Sequence, residues 1–244
     1  MSEVQARVPP RVKPVMRVDW ATHEAAVYAV KHWHYSRSMP SGPIVKLGVW
    51  EGERFTGVVL FSMGASDKLF KRFDVEDRGG GELTRVALTN HETPVSKIVS
   101  VSILFLSRHC PGLRLIVSFA DPERGHHGGI YQAGNWIYTG VSSRDWYFLN
   151  RRTGKRHHSR NVNLKGYKKR VGRSPLKTLD MSTMERIETE PKHRYVYPLD
   201  AEMRERLKAF AQPYPKRPKV SGDEYPSSQG GSTPTRALQL KGIR

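Results

Sequence analysis

The chain has 244 residues, 37% of them hydrophobic, with 41 Lys+Arg against 23 Asp+Glu and a formal net charge of +18. That length holds one sizeable α/β domain plus a tail, and the charge excludes cationic partners while favouring polyanions. Cys110 is the sole cysteine, which excludes an internal disulfide framework and suits a reducing cytoplasm.

The opening MSEVQARVPPRVKP lacks the apolar stretch of a signal peptide. No run of about 20 apolar residues offers a membrane span. The basic segments are rich in Gly, Asn and His rather than amphipathic, so no membrane partner is expected.

Residues 1–15 carry three prolines and read as a flexible arm. Met16–Trp20 is a candidate strand. Residues 21–34 place Ala, Val and Tyr at three- and four-residue steps and predict a helix, with Thr22 or Asp19 as its cap. His34-Tyr35-Ser36-Arg37 follows as a polar–aromatic loop. Residues 45–50 and 55–63 predict two strands of a hairpin around Glu51-Gly52-Glu53-Arg54. Residues 68–81 read as a charged loop with a short helix, and residues 82–89 as a strand. Thr93-Pro94 is a helix start, with threonine as cap and proline in the first position. The apolar residues 95–110 then form a buried helix, stopped by Pro111-Gly112. Residues 113–120 are a continuous apolar run, as expected of a central strand. A short helix over 128–133 and late strands at 136–138 and 146–149 complete a mixed α/β order, with a strand–helix–strand crossover at 82–120.

Beyond Asn150 the composition changes. Residues 151–177 contain 11 Lys+Arg and no acidic residue. Residues 201–211 predict a short helix. From Gln212 the chain is rich in Pro, Lys, Gly and Ser and is expected to be disordered. The expected division is therefore an arm at 1–15, a catalytic core at 16–150, a basic extension at 151–211 and a disordered tail at 212–244.

Asp121 follows an apolar strand, the place where ligands bind in open α/β sheets. It is a candidate general base, although Asp-Pro also initiates turns. Ser118 lies just before it. The segment after it supplies Tyr131, Trp136 and Tyr138 as aromatic faces and Gln132 and Asn135 as edge-reading amides, the equipment for holding an extracted base. Trp136 is equally suited to the core. His34, with Tyr35 and Ser36 beside it, is a candidate proton shuttle near neutrality. Glu82 and Arg85 are charges in a central strand and require partners; Arg85 either meets a phosphate or pairs with Asp121. No CxxC or HExxH occurs, and the metal candidate is limited to His34, Asp121 and His126. For phosphate contact the candidates are Arg37, Arg151, Arg152, Lys155, Arg156, Arg160, Lys168, Lys169 and Arg170, since Lys and Arg displace counterions from nucleic acid.

HYSRSMPSG (34–42), ELTRVAL (82–88) and SFADPERGHHGGIYQAGNWIYTG (118–140) together resemble phage Mom proteins. The resemblance covers roughly residues 16–175. It implies a fold similar to GNAT acetyltransferases: a mixed central sheet flanked by helices, here with a basic C-terminal extension. It also implies an enzyme that converts adenine in double-stranded DNA to N6-carbamoylmethyladenine in a host cytoplasm and shields phage DNA from restriction. Acetyl-coenzyme A, another donor and an iron ion are the cofactors to be tested. The loop between strand and helix, Thr89-Asn90-His91-Glu92-Thr93-Pro94, departs from the Arg/Gln-x-x-Gly-x-Gly/Ala pattern that cradles coenzyme A in GNAT enzymes. The alternatives are a GNAT-like acetyltransferase with another substrate and a non-enzymatic DNA-binding phage protein.

Overall fold

The computed structural model describes residues 14–64, 68–158 and 180–217. Its main sheet has seven strands: β1 (Met16–Trp20), β2 (Ile44–Glu51), β3 (Arg54–Ser62), β4 (Gly80–Leu88), β5 (Leu115–Ala120), β6 (Ile137–Val141) and β10 (His193–Pro198). Their spatial order is β1-β2-β3-β4-β5-β10-β6. Every neighbouring pair is antiparallel except β4 and β5, which run parallel. Helix α3 (Val95–His109) makes the crossover between those two, as the sequence order requires.

The inner strands are buried on both faces. Val58 and Leu60 of β3 pack with Ala26, Ala29 and Val30 of helix α1 (His23–Trp33). Val59 and Phe61 of β3 pack on the other face with Ile98, Val99, Ile103 and Leu106 of α3. Thr22 caps α1 by accepting from the Ala25 amide at 3.2 Å. Helix α2 (Lys68–Lys71) and helix α5 (Ala201–Leu207) cover Leu115 and Val117 of β5 through Phe70, Met203 and Leu207. Helix α4 (Gly129–Ala133) follows β5 and buries Tyr131 on the α3 face.

Two irregularities of β4 build the site. The first is a bulge at Thr84: Phe61 pairs with Leu83, but Leu60 pairs with Arg85. Leu83 and Ala87 would share a face in a regular strand. The extra residue sends them to opposite faces, Leu83 toward α3 and Ala87 toward α1, and so turns Arg85 toward the end of α1. The second is a parting of strands. β4 and β5 pair only from Gly80↔Leu115 to Leu83↔Ser118, and β4 then continues to Leu88. Beyond that last pair the ladder is not continued, so the two strands part midway along β4 and near the carboxyl end of β5, leaving a gap in the pairing.

A second sheet holds β7 (Trp146–Asn150) between β8 (Arg156–His158) and β9 (Met184–Glu188).

The expected boundary at residue 150 does not divide the fold. β10 lies between β5 and β6, and its Tyr195 and Val196 are fully buried. Arg194 is also buried there, donating to Thr139 Oγ1 at 3.0 Å and to the Thr139 carbonyl at 2.8 Å. Net basic composition masked a strand whose apolar residues are few but central. The tail also begins later than composition indicates. The Gln212 amide donates to the Tyr138 carbonyl (2.9 Å), and the Tyr214 hydroxyl donates to the Trp136 carbonyl (2.6 Å). Residues 212–217 thus form a strap over β6 and α4. Among the described residues no helix is long and apolar enough to cross a membrane.

Candidate active site

The gap between β4 and β5 gathers side chains from three segments. His34 and Tyr35 come from the end of α1, Glu82 and Arg85 from β4, and Ser118, Asp121, Arg124, His126 and Tyr131 from β5 and the turn after it.

His34 is buried, with 6% of its surface exposed. Its Nδ1 accepts from the Ser36 amide (3.1 Å), with the Ser36 hydroxyl 2.8 Å away. An acceptor at Nδ1 leaves the proton of the neutral ring on Nε2. Burial, with the Arg85 guanidinium and His126 nearby, holds its pKa down to about 3. His34 therefore remains neutral at physiological pH, which corrects the expectation that it titrates near neutrality. Its neutral ring is a hydrogen-bonding group.

Tyr35 is 43% exposed. Its ring lies 4.3 Å from the His34 ring and 5.8 Å from that of His126, with the Arg124 guanidinium 5.5 Å from its centre. It is the solvent-facing aromatic surface of the site.

Arg85 donates to the Thr84 carbonyl (2.7 Å) and toward the Ser38 carbonyl (3.4 Å). Its charge interacts with Tyr35 and Glu82, and burial lowers its pKa. The expected pairing with Asp121 is not formed, because the bulge turns Arg85 toward α1. Lys192 meets Asp121 instead, at 3.3 Å. The other Asp121 oxygen accepts from the Glu123 amide (3.1 Å) and starts the Pro122–Arg124 turn. Asp121 thus fills the turn role; the pKa of the nearby His126 is lowered by burial, against which the Asp121 charge acts.

Tyr131 is not a stacking platform. Its ring packs 5.0 Å from Trp136 and 5.1 Å from Tyr195. Its hydroxyl lies 2.8 Å from Ser118 Oγ, which donates to the Leu83 carbonyl at 2.9 Å. With the serine proton committed, Tyr131 is the donor of that pair. The relay ends at the last paired position of β4 and β5. Burial pushes the phenol up to about 12, so it remains protonated.

Trp136 is only 1% exposed and offers no open face. Asn135, in the left-handed region at φ 58°, turns the chain into β6 and drives Trp136 inward. Asn135 itself is an exposed turn residue. Tyr138 is buried and its hydroxyl pairs with His193 Nδ1 at 3.1 Å. Gln132 donates to the Tyr195 hydroxyl (3.1 Å) and to the Pro215 carbonyl (3.3 Å). Gln132 and all three expected aromatic faces, Tyr131, Trp136 and Tyr138, are therefore structural, and Asn135 lies in the turn.

The candidate metal set does not assemble. Among the described residues no group of three or more His, Cys, Asp or Glu side chains could hold a metal ion. The amides of Glu92 and Thr93, at the entry to α3, already donate to the Glu51 carboxylate.

The basic residues lie elsewhere. Arg151, Arg152, Lys155 and Arg156 are exposed on the second sheet. Arg151 meets Glu185 at 3.5 Å, and Arg156 lies over the Tyr147 ring at 4.9 Å. Arg37 is exposed at φ 47° after α1. Arg160, Lys168, Lys169 and Arg170 lie outside the described residues.

Sequence reasoning gave no site role to Glu82, Arg124 or Glu51. Glu82 was visible as a charge in a central strand. Arg124 and Glu51 carry no local signal, since their partners come from distant segments.

Comparison with solved structures finds an aminoglycoside acetyltransferase AAC(6')-Ib in complex with coenzyme A and kanamycin, at 9% identity and TM-score 0.47, over 80% of this chain and 99% of that one. It also finds FeeM, an N-acyl amino acid synthase from uncultured soil microbes, at 12% identity and TM-score 0.43, over 81% and 97%. Among curated proteins, the methylcarbamoylase Mom of Escherichia phage Mu is 26% identical over 215 residues, covering 82% of this chain and 87% of the relative. The sequence model of the Mom protein family matches residues 15–216. The chain belongs to the Mom protein family.

Proposed function

We propose that this protein is a DNA-modifying transferase that places a carbamoylmethyl group on N6 of adenine and so protects DNA from restriction. The observation that carries the reading is the cluster in which the Tyr35 ring joins His34 and His126, with Arg85 acting on His34 and Asp121 on His126. Membership of the Mom family and the methylcarbamoylase name of the phage Mu relative support it.

The N6 lone pair is delocalised into the purine ring, and N6 lies inside the stack. The base must therefore leave the duplex before it reacts. Tyr35, the exposed ring of the site, takes the stacking role that buried Trp136 and Tyr131 cannot. Its neighbour Arg124 adds a cation beside the base and its phosphate. Forming the N6–methylene bond breaks the bond between that methylene and a leaving group of the donor, which departs with the bonding pair, and it releases one N6 proton. Asp121 is the carboxylate at the strand end that accepts it, with Lys192 orienting it. The neutral Nε2–H of His34 and the Arg85 guanidinium are donors fixed before reaction, where a desolvated site makes them most effective. The exposed cations of the second sheet hold the duplex through phosphates.

Mass spectrometry of nucleosides from the DNA of cells expressing the chain tests this reading. Deoxyadenosine carrying a carbamoylmethyl group on N6 is expected. Unmodified adenine beside a folded, abundant protein would exclude it.

A further inference from the structure

Helix α3 begins where a nucleotide diphosphate would dock on a crossover of this kind, because unsatisfied amides and the helix dipole attract anions. In this chain that position is filled from within. Glu51 ends β2 and opens the hairpin turn to β3. Its side chain has no exposed surface. One carboxylate oxygen accepts from the amides of Glu92 (2.9 Å) and Thr93 (2.7 Å), and the other accepts from Glu92 again (3.1 Å) and from Arg54 Nη2 (3.0 Å). Burial alone would raise the carboxyl pKa. The Thr93 and Glu92 donors and Arg54 outweigh that effect and hold it below its usual value, so the group there is an anion at neutral pH.

The sequence expectation of Thr93 as helix cap is corrected by the same contacts. Thr93 turns its amide to Glu51, and Pro94, which has no N–H, takes the cap position with no side-chain bond to the helix.

We infer that Glu51 is a built-in anion that occupies the loop amides just ahead of α3, so that no diphosphate of a coenzyme A-type donor is anchored on the amides of residues 92 and 93. Two anions cannot share one set of donors in a desolvated place without strong repulsion. The cleft of about 470 Å³ beside it, lined by Pro14, Glu51, Arg54, Asn90, His91 and Glu92, is therefore faced by a carboxylate already in possession of the amides. The donor of the transferred group is either free of a nucleotide diphosphate or held by other residues. This holds whether or not adenine is the acceptor.

The test follows the backbone amide resonances of Glu92 and Thr93 in the full chain during titration with coenzyme A and, separately, with inorganic pyrophosphate. In the wild-type protein both resonances stay fixed with either probe, and coenzyme A moving other resonances while these two stay put agrees with the inference. In Glu51→Gln, pyrophosphate moves them over the concentration range in which the wild-type resonances stay fixed, because the resident charge is gone. Movement of the two amides by coenzyme A in the wild-type protein would overturn the inference. So would a folded Glu51→Gln whose amides ignore pyrophosphate. If Glu51→Gln does not fold, the wild-type titration decides alone.

Discussion

The gap between β4 and β5 and the small β8-β7-β9 sheet treat their charged groups in opposite ways. At the gap, His34, Arg85, His126 and Tyr131 are removed from water, and each has its pKa moved toward the neutral form, with burial as the leading cause. On the small sheet, Arg151, Arg152, Lys155 and Arg156 remain in solvent and lie over a ring or beside a carboxylate at most. Desolvated, pre-positioned groups suit chemistry, whereas solvated cations suit reversible contact with a polyanion. The two tasks are assigned to parts of the chain that can be damaged separately.

The largest effect is expected at Asp121. Asp121→Asn keeps an acceptor for the Glu123 amide and so preserves the turn, but it cannot take a proton. Adenine modification should fall by about 10²–10⁴-fold, read as the modified fraction of deoxyadenosine, while DNA affinity changes by no more than a few fold. Unchanged modification would move the base elsewhere.

The reverse outcome is expected for Arg151, Arg152, Lys155 and Arg156 replaced together by Ala. The slope of log affinity against log salt should flatten by up to about 0.9 for each phosphate that is no longer neutralised. The pKa directions at the gap should remain. A slope equal to that of the wild type would show that the small sheet does not face DNA.

A smaller effect is expected from pH. The folded pKa of His34 is depressed, so below 6.5 the unfolded chain binds a proton that the folded chain refuses. Stability is unaffected above 6.5 and falls as pH drops from 6.5 toward about 3, by at most about 1.4 kcal/mol per pH unit from this group. His34→Gln should flatten that part of a denaturant-midpoint curve. An equal slope in the variant would show that His34 is not held neutral by the fold.

The smallest effect concerns the strap. Truncation after Ala211 removes the Tyr214 and Pro215 bonds to Trp136 and Gln132, and it should lower the melting temperature by several degrees, at about 2–4 °C per kcal/mol. Truncation after Arg217 should leave it unchanged. Equal melting temperatures for both would show that the strap adds nothing.

Much of the frame was legible because it is local. The 3–4 spacing in α1 and α3, the apolar run of β5 and the hairpin of β2 and β3 each repeat a period that burial imposes. β10 was hidden because it is a short strand in basic sequence whose place depends on β5 and β6. At the site, position at a strand end singled out Asp121 and Ser118, and adjacency singled out His34 and Tyr35. Aromatic content misled at Trp136, since an exposed and a buried ring look alike in sequence. The direction of Arg85 depends on one inserted residue at Thr84, and the occupation of the loop amides by Glu51 depends on a contact across 41 residues. Neither has a local signature.

Arg85→Ala gives the most direct test of the claim that chemistry resides at the strand parting. The measurement pairs the modified-deoxyadenosine fraction with the DNA dissociation constant of the same folded protein. The expected result is modification at background with the dissociation constant within a few fold of wild type. Wild-type modification, or a loss that merely follows weakened DNA binding, would contradict it.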